Sequence, residues 1–321
     1  MTNDPSVLVL GSLAFDHIMK LPYLFTSATI IDSNENLNAA FTVKDMTVLR
    51  GGTGGNIAYS LGLLEANSIL ISAAGKDFYE RNYNHDFNEK VDFRIEIRED
   101  LYTAAAYIIS DINHNQITVF HEGALSILEN MDLNSKLTPE DNIKIAINAP
   151  NPVKAMMIFA HQLNELGIPM VFDPGQQIKN FTKEQLEEIV PLTSMLIVNN
   201  SEYILFERTL ETNIHHLKNQ IQTIIITMGN NGSLLYHEGK ESTIPIATPE
   251  KVVDPTGAGD CYRAGLLKGI LCDLPIKAAC QLGAVMGSFC VEATGPQGQC
   301  CSLPEIRTRY ENHFGKLPKP I

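Results

Sequence analysis

What this 321-residue chain lacks narrows its function before any motif is read. It has no run of about 18 uninterrupted apolar residues, the length a bilayer-spanning helix needs. Its opening residues, MTNDPSVLVLGS, lack the charged n-region and long apolar stretch of an export signal, so the cytoplasm is the expected compartment. Positive charge is scarce: 24 Lys and Arg stand against 37 Asp and Glu, a net charge of -13. A surface of that sign repels phosphate backbones and anionic lipid, and no Lys/Arg-rich stretch compensates locally, so neither nucleic acid nor a membrane is an expected partner. The six cysteines all lie at or beyond position 261 without CxxC or CxxH spacing, which disfavours a zinc site. They are expected as buried thiols in C-terminal helices. GxxxxGK[ST], a GxGxxG after a strand, and HRD with DFG are all missing, which disfavours a P-loop NTPase, a dinucleotide-binding dehydrogenase and an ordinary protein kinase. There is no HExxH either, and His161, His215 and His216 read as surface or satisfied structural residues. No repeat, low-complexity tract or Pro/Ser/Gly linker divides the chain, so one composite domain is expected.

What is present suits a packed globule: 44% of residues are hydrophobic and 19% charged, with a mean hydropathy of -0.03 and a pI near 5.1. Val7 to Leu10 form a short continuous apolar run ending at Gly11, the pattern of a strand buried on both faces. After GGTGGN (Gly51 to Asn56), apolar residues at Ile57, Ala58, Leu61 and Leu64 approximate the 3.6 period of a helix. Ile69 to Ala73, Met170 to Asp173, Met195 to Asn199 and Thr223 to Met228 are further buried-strand candidates, spaced widely enough for helices between them. That alternation predicts an α/β fold with a parallel sheet covered on both faces. Two stretches interrupt it. Phe15 to Arg50 is polar and irregular, and Tyr102 to Ser110 with Gln116 to His121 flank the turn-rich DINHN as a β-hairpin. Together they predict a small flap.

The sharpest chemical signal is VVDPTGAGDCYRAG, Val252 to Gly265. Gly257, Ala258 and Gly259 lead directly into an apolar helical pattern, so successive backbone N–H groups would point out of a helix N-terminus as an anion cradle. Asp260 at its mouth would repel a bound phosphate, but it is well suited to take a proton from an attacking hydroxyl. The alternative is a turn with Asp260 as a local cap.

DPTGAGD followed by Tyr262 resembles the C-terminal signature of the ribokinase-like (phosphofructokinase-B) kinases. GGTGGN resembles that family's N-terminal sugar-binding signature, Asn199-Asn200-Ser201-Glu202 its N-x-x-E motif, and ITMGNNGS (Ile226 to Ser233) its nucleotide-side strand and turn, all in matching order across nearly the whole chain. GGTGGNIAY, YIISDINHNQITVFHEGA, FDPGQ and GDCYRAG are most similar to bacterial and archaeal adenosine or broad nucleoside kinases. The resemblance implies a three-layer α/β/α sandwich with a mostly parallel central sheet and a small β lid, with 1–14, 51–100 and 123–321 as body and 15–50 and 101–122 as lid. It also implies transfer of the γ-phosphate of ATP to the 5′-hydroxyl of adenosine or a related nucleoside, in a purine-salvage setting. A ribose or other furanose kinase is the runner-up, and a non-catalytic nucleoside- or sugar-binding regulator is the reading from another class.

Residue roles follow from the same resemblance. Asp260 would be the base, with Gly257, Ala258 and Gly259 as the anion hole. Asp16 would accept two ribose hydroxyls, and Gly51, Gly52 and Asn56 would complete the sugar contacts. Phe15, Met19, Ala104, Ala105, Ala106 and Phe120 would line a roomy apolar flap for a flat base, or simply pack it. Asn199, Thr227, Gly229, Gly232, Gly257 and Gly259 would bind ATP, with Gly295 and Gly298 beside the adenine. Glu202 and Asn199 would hold Mg²⁺ through water, although N-x-x-E can equally be a capping box. Asp254 matches a family aspartate that binds a monovalent cation, K⁺ first. A homodimer paired through flap strands is the assembly the resemblance allows. Arg263, one turn beyond Asp260, could pair locally or reach phosphate.

Overall fold

The computed structural model describes residues 4–31, 37–113 and 115–321. The first three residues of the chain, part of the 15–50 stretch (32–36) and His114 of the DINHN turn lie outside the described residues. The strands in chain order are β1 (Ser6–Leu10), β2 (Ala14–Lys20), β3 (Thr29–Ile31), β4 (Leu37–Ala39), β5 (Met46–Gly51), β6 (Ser68–Gly75), β7 (Val91–Arg98), β8 (Ala104–Ser110), β9 (Gln116–His121), β10 (Ile143–Asn148), β11 (Met170–Phe172), β12 (Met195–Asn199), β13 (Thr223–Thr227), β14 (Ser233–His237) and β15 (Lys240–Ile244). The helices are α1 (Thr53–Leu63), α2 (Asp77–Glu80), α3 (Val153–Glu165), α4 (Lys183–Ile189), α5 (Asn200–Leu210), α6 (Ile214–Leu217), α7 (Ala258–Leu271), α8 (Ile276–Cys290) and α9 (Leu303–Phe314).

Nine strands form the main sheet in the order β15-β14-β13-β12-β11-β10-β1-β6-β7. Strands β13 through β7 in that order pair in parallel, and the β14-β15 hairpin adds an antiparallel edge. The apolar runs explain the layering. Successive side chains of a strand point to opposite faces, so Val7 and Val9 join one core with α1, α7 and α8, while Leu8 and Leu10 join a second with α3, α4 and α5. Those two cores on opposite faces make the three-layer α/β/α sandwich. Burying each such side chain stabilises the fold by roughly 1.5–3 kcal/mol. Caps set several helix starts: Thr182 with Gln185, Asn199 with Glu202 and Ser302 with Glu305 form reciprocal capping boxes.

A separate four-stranded sheet, ordered β5-β2-β8-β9, forms the lid. Asp16 pairs with Leu49 on one side and Ala106 on the other, and Ala106 pairs with Phe120, so these four residues form one row across one face. Phe15, Met19 and Ala105 fall on the opposite face, which removes them from the group expected to surround a base beside Asp16. Phe15 is buried, with its ring edge-on to Tyr83 at 5.5 Å.

The cysteine expectation needs correction at three positions. Cys261, Cys280, Cys290 and Cys301 are buried, but Cys272, just past the end of α7, is half-buried and Cys300 is exposed, and Cys300 and Cys301 precede α9 in a loop. Among the described residues, no helix is long and apolar enough to cross a membrane.

Candidate active site

The carboxyl ends of parallel strands, where an open α/β sheet presents its loops, gather the polar residues of interest. Asp173 follows β11, Asn199 ends β12 and Thr227 ends β13. The first turn of α7 brings in Asp260, and the lid brings in Asp16.

Helix α7 is capped by Gly257, whose φ of +83° is the left-handed region that side chains avoid. A Cβ there would also lie 2.5 Å from that of Pro296. Among the described residues, the amides of Gly257, Gly259 and Asp260 have no intramolecular partner, leaving donors open at the positive end of the helix. Ala258 differs from its two neighbours: its N–H is donated to the Pro255 carbonyl at 3.2 Å, so an incoming anion would have to displace that bond.

Asp260 is half-buried, and its Oδ2 accepts from Asn56 Nδ2 at 2.8 Å. Burial pushes its carboxyl up to about 6; Arg263 and the Asn56 hydrogen bond pull down, and the charges of Asp173 and Asp16 push up. Asp16 is likewise half-buried, and burial raises it to about 6. Its carboxylate lies against Gly51, where any added Cβ would overlap it. The lid and the body thus each contribute a carboxylate with raised proton affinity, close enough for one to be felt by the other.

Arg263 has an unambiguous setting. It is buried, makes a two-pronged ion pair with the buried Asp173 (Nη2 to Oδ1 2.6 Å, Nε to Oδ2), and donates through Nη1 to the Gly259 carbonyl at 3.0 Å. Its partner is therefore the strand-end aspartate of FDPGQ, 90 positions away, not a local carboxylate. Burial disfavours the guanidinium's charge, but the charge and hydrogen bonds of Asp173, with Asp260 and Glu202 adding to them, prevail and raise its proton affinity.

Asn199 and Glu202 hold each other: Glu202 Oε2 accepts the Asn199 N–H at 2.7 Å and Asn199 Oδ1 accepts the Glu202 N–H at 2.9 Å. Burial raises the Glu202 carboxyl, Asp173 adds to the rise, and the Asn199 amide and Arg263 oppose it. Among the described residues, no group of three or more His, Cys, Asp or Glu side chains is assembled to hold a metal ion.

Asp254 clamps two loops, accepting from the Thr256 amide at 2.9 Å and the Gly295 amide at 2.9 Å. Burial alone would raise its carboxyl; the Thr256 and Gly295 hydrogen bonds prevail, and it lies below the usual range. Thr227 donates weakly to the Val198 carbonyl at 3.5 Å. Gly229 and Gly232 flank the turn between β13 and β14. Neither they nor Thr227, Asp254 or Phe120 has a hydrogen bond to Asp260. Phe120 stands 45% exposed on the lid face that carries Asp16.

Sequence reasoning missed Tyr83, Asp173 as the partner of Arg263, and Gln297. Gln297 Nε2 donates to Asn56 Oδ1 at 3.0 Å and to the Tyr83 hydroxyl at 3.2 Å. FDPGQ held a usable signal, an aspartate at a buried strand's end. Tyr83 and Gln297 sit in irregular segments with no local signal.

A helix start with open amides and an aspartate beside it suits transfer of a phosphoryl group to an alcohol, and known proteins of similar sequence and fold show that class, a phosphotransferase with an alcohol acceptor. Residues 8–302 match the pfkB family of carbohydrate kinases. The chain is 30% identical to a nucleoside kinase of Methanothermobacter thermautotrophicus over 99% of both chains. The nucleoside kinase of Burkholderia thailandensis in complex with inosine superposes with a TM-score of 0.83 at 32% identity, covering 98% of this chain and 99% of that one. Its ADP-inosine complex gives 0.80 at 31% identity, covering 98% of each. The chain belongs to the pfkB family of carbohydrate kinases and is a nucleoside or sugar kinase of ribokinase-like fold.

Proposed function

We propose that the protein transfers the γ-phosphoryl group of ATP to the 5′-hydroxyl of a nucleoside, adenosine first, in a cytoplasmic purine-salvage setting. The observation that carries this reading is the Asp260 corner: a half-buried carboxylate of raised proton affinity, beside amides with no intramolecular partner, sharing its electrostatic surroundings with Asp16. In this reading Asp16 binds the ribose hydroxyls, with Gly51 allowing its close approach, and Asn56 serves through Asp260. Asp260 takes the 5′-hydroxyl proton, the oxygen attacks the γ-phosphorus in line, and the bond from that phosphorus to the bridging oxygen breaks to release ADP. The Gly257 and Gly259 amides receive the charge that develops on the transferred group.

Mg²⁺, carried on the phosphates, would supply charge neutralisation. Hard oxygen donors suit it, and Glu202 offers one through water. In the same reading Thr227, Gly229 and Gly232 line the nucleotide and Phe120 offers an apolar wall to the base. Asp254 uses one lone pair of each oxygen on an amide, which leaves the others for a monovalent cation. Segments 15–50 and 101–122 act as the lid. A homodimer paired through the lid fits the exposed Val48, Tyr107 and Val119 on its other face; the mass in solution checks it.

The test is ADP release from ATP with adenosine, inosine, guanosine, cytidine, ribose and fructose as acceptors. Turnover with nucleosides and not free sugars is expected. Turnover with ribose alone would favour the furanose kinase, and tight nucleoside binding without turnover the regulator.

A further inference from the structure

A directional chain of hydrogen bonds runs behind Asp260. The Tyr83 hydroxyl donates its one proton to the Gly51 carbonyl. Towards Gln297 that hydroxyl can therefore only accept, and Gln297 presents its nitrogen, Nε2, at 3.2 Å. The same Nε2 faces Asn56 Oδ1 at 3.0 Å, so Asn56 has only its own nitrogen left for Asp260, at 2.8 Å. A primary amide is nearly symmetric in shape and opposite in polarity at its two ends, so its orientation is set by its neighbours. Here the setting begins at a backbone carbonyl, which cannot reverse.

We propose that Gln297 is a positioning residue that hands this polarity to Asn56, so that Asn56 can only donate to Asp260 and the carboxylate's other oxygen is left for the acceptor hydroxyl. The orientation persists against a local disadvantage. Gln297 is 8% exposed, and its buried Oε1 has no partner among the described residues, which is unfavourable. Turning the amide over would set that oxygen against both Asn56 Oδ1 and the Tyr83 oxygen, a worse arrangement. The inference rests on Asp260 being the base. The other titratable and charged groups that act on or feel that carboxylate are Arg263 and the buried Cys261 thiol on its own helix, Asp173 after β11, Asp16 on the lid and Tyr83, whose buried hydroxyl stays protonated.

The experiment is a titration of the Asp260 side-chain carboxyl carbon by NMR in the full chain, assigned with Asp260→Asn, which needs no turnover. A hydrogen bond donated to a carboxylate lowers its pKa, so losing the Asn56 donor raises the midpoint, on the order of one pH unit. Gln297→Met, of similar volume, should raise the midpoint towards that value in the otherwise native protein and by nothing further when Asn56 is already Ala. Gln297→Glu, whose carboxylate would draw the Asn56 nitrogen to itself, should raise it more, and the acid limb of kcat/KM should move with it. An equal shift with and without Asn56, or no shift in the native background, overturns the inference; should Gln297→Met fail to fold, Gln297→Ala replaces it in the same pair of backgrounds. Absence of turnover with every acceptor would instead count against the kinase reading, and the titration would still decide the role of Gln297.

Discussion

Strands β1 and β9 are both short and both carry apolar residues, four of five in β1 and three of six in β9, yet every residue of β1 is buried and every residue of β9 is exposed. One lies inside a sheet covered by helices on both faces; the other is the edge strand of the separate four-stranded sheet. The same residue types thus do different work. In β1 they stabilise the fold, and in β9 they keep apolar surface, Phe120 included, where a bound molecule can cover it. The two candidate carboxylates divide the same way, Asp260 on a body helix and Asp16 on a lid strand.

That division can be broken at each side. The largest effect is expected on the body: Asp260→Asn should lower kcat by about 10²–10⁴-fold while nucleoside affinity by calorimetry changes little, and a variant within tenfold of the native rate would remove Asp260 from the base role. On the lid, Asp16→Ala should act mainly on recognition. Loss of a hydrogen bond to a charged group predicts a KM increase of roughly 10–100-fold, and an unchanged KM would undo the assignment. Stability should follow the opposite pattern. Leu10→Ala, at a fully buried position, should destabilise by about 2–5 kcal/mol in urea unfolding, whereas Val119→Ala, 60% exposed, should stay within about 0.5 kcal/mol; equal losses would erase the distinction between sheet and lid.

The smallest effect is expected from the charge of Asp16 itself. The Asp16 carboxyl is raised from 3.8 to about 6, so between those values the folded state binds more protons than the unfolded one and stability falls as pH rises. Asp16→Asn removes that burdened charge and should raise the melting temperature at a pH well above that window. A lower one would mean the carboxylate is favourably held.

Legibility in the sequence tracks the same contrast. Buried central strands announced themselves as apolar runs: Met195–Asn199 was readable to the residue, and Val7 to Leu10 nearly so. β7, β10 and the β15 edge were not, because VDFRIEIR, IKIAIN and KESTI carry polar residues at alternate or outer positions. Gly257, Asp260 and Asn199 sit in short segments whose local backbone demands, a helix start and a cap, could be read along the chain, whereas Asp16, inside a strand paired with Leu49 and Ala106, was singled out by the resemblance alone. The supports of the site could not be read. Asn56 and Gln297 meet across 241 positions and Arg263 and Asp173 across 90, and only the packing of helix on sheet brings such pairs together. N-x-x-E showed the limit of a motif, since the same four residues form the capping box of α5 whatever else they hold.

Phosphoryl transfer is expected to wait on an ionised carboxylate at the start of α7. The most direct measurement is kcat/KM for the preferred nucleoside across about pH 4.5 to 8.5, which reports the groups of the free protein. With Asp260 and Asp16 both raised to about 6, the rate should fall along an acid limb centred near that value; a rate that stays level to the acid end of the range would contradict the account.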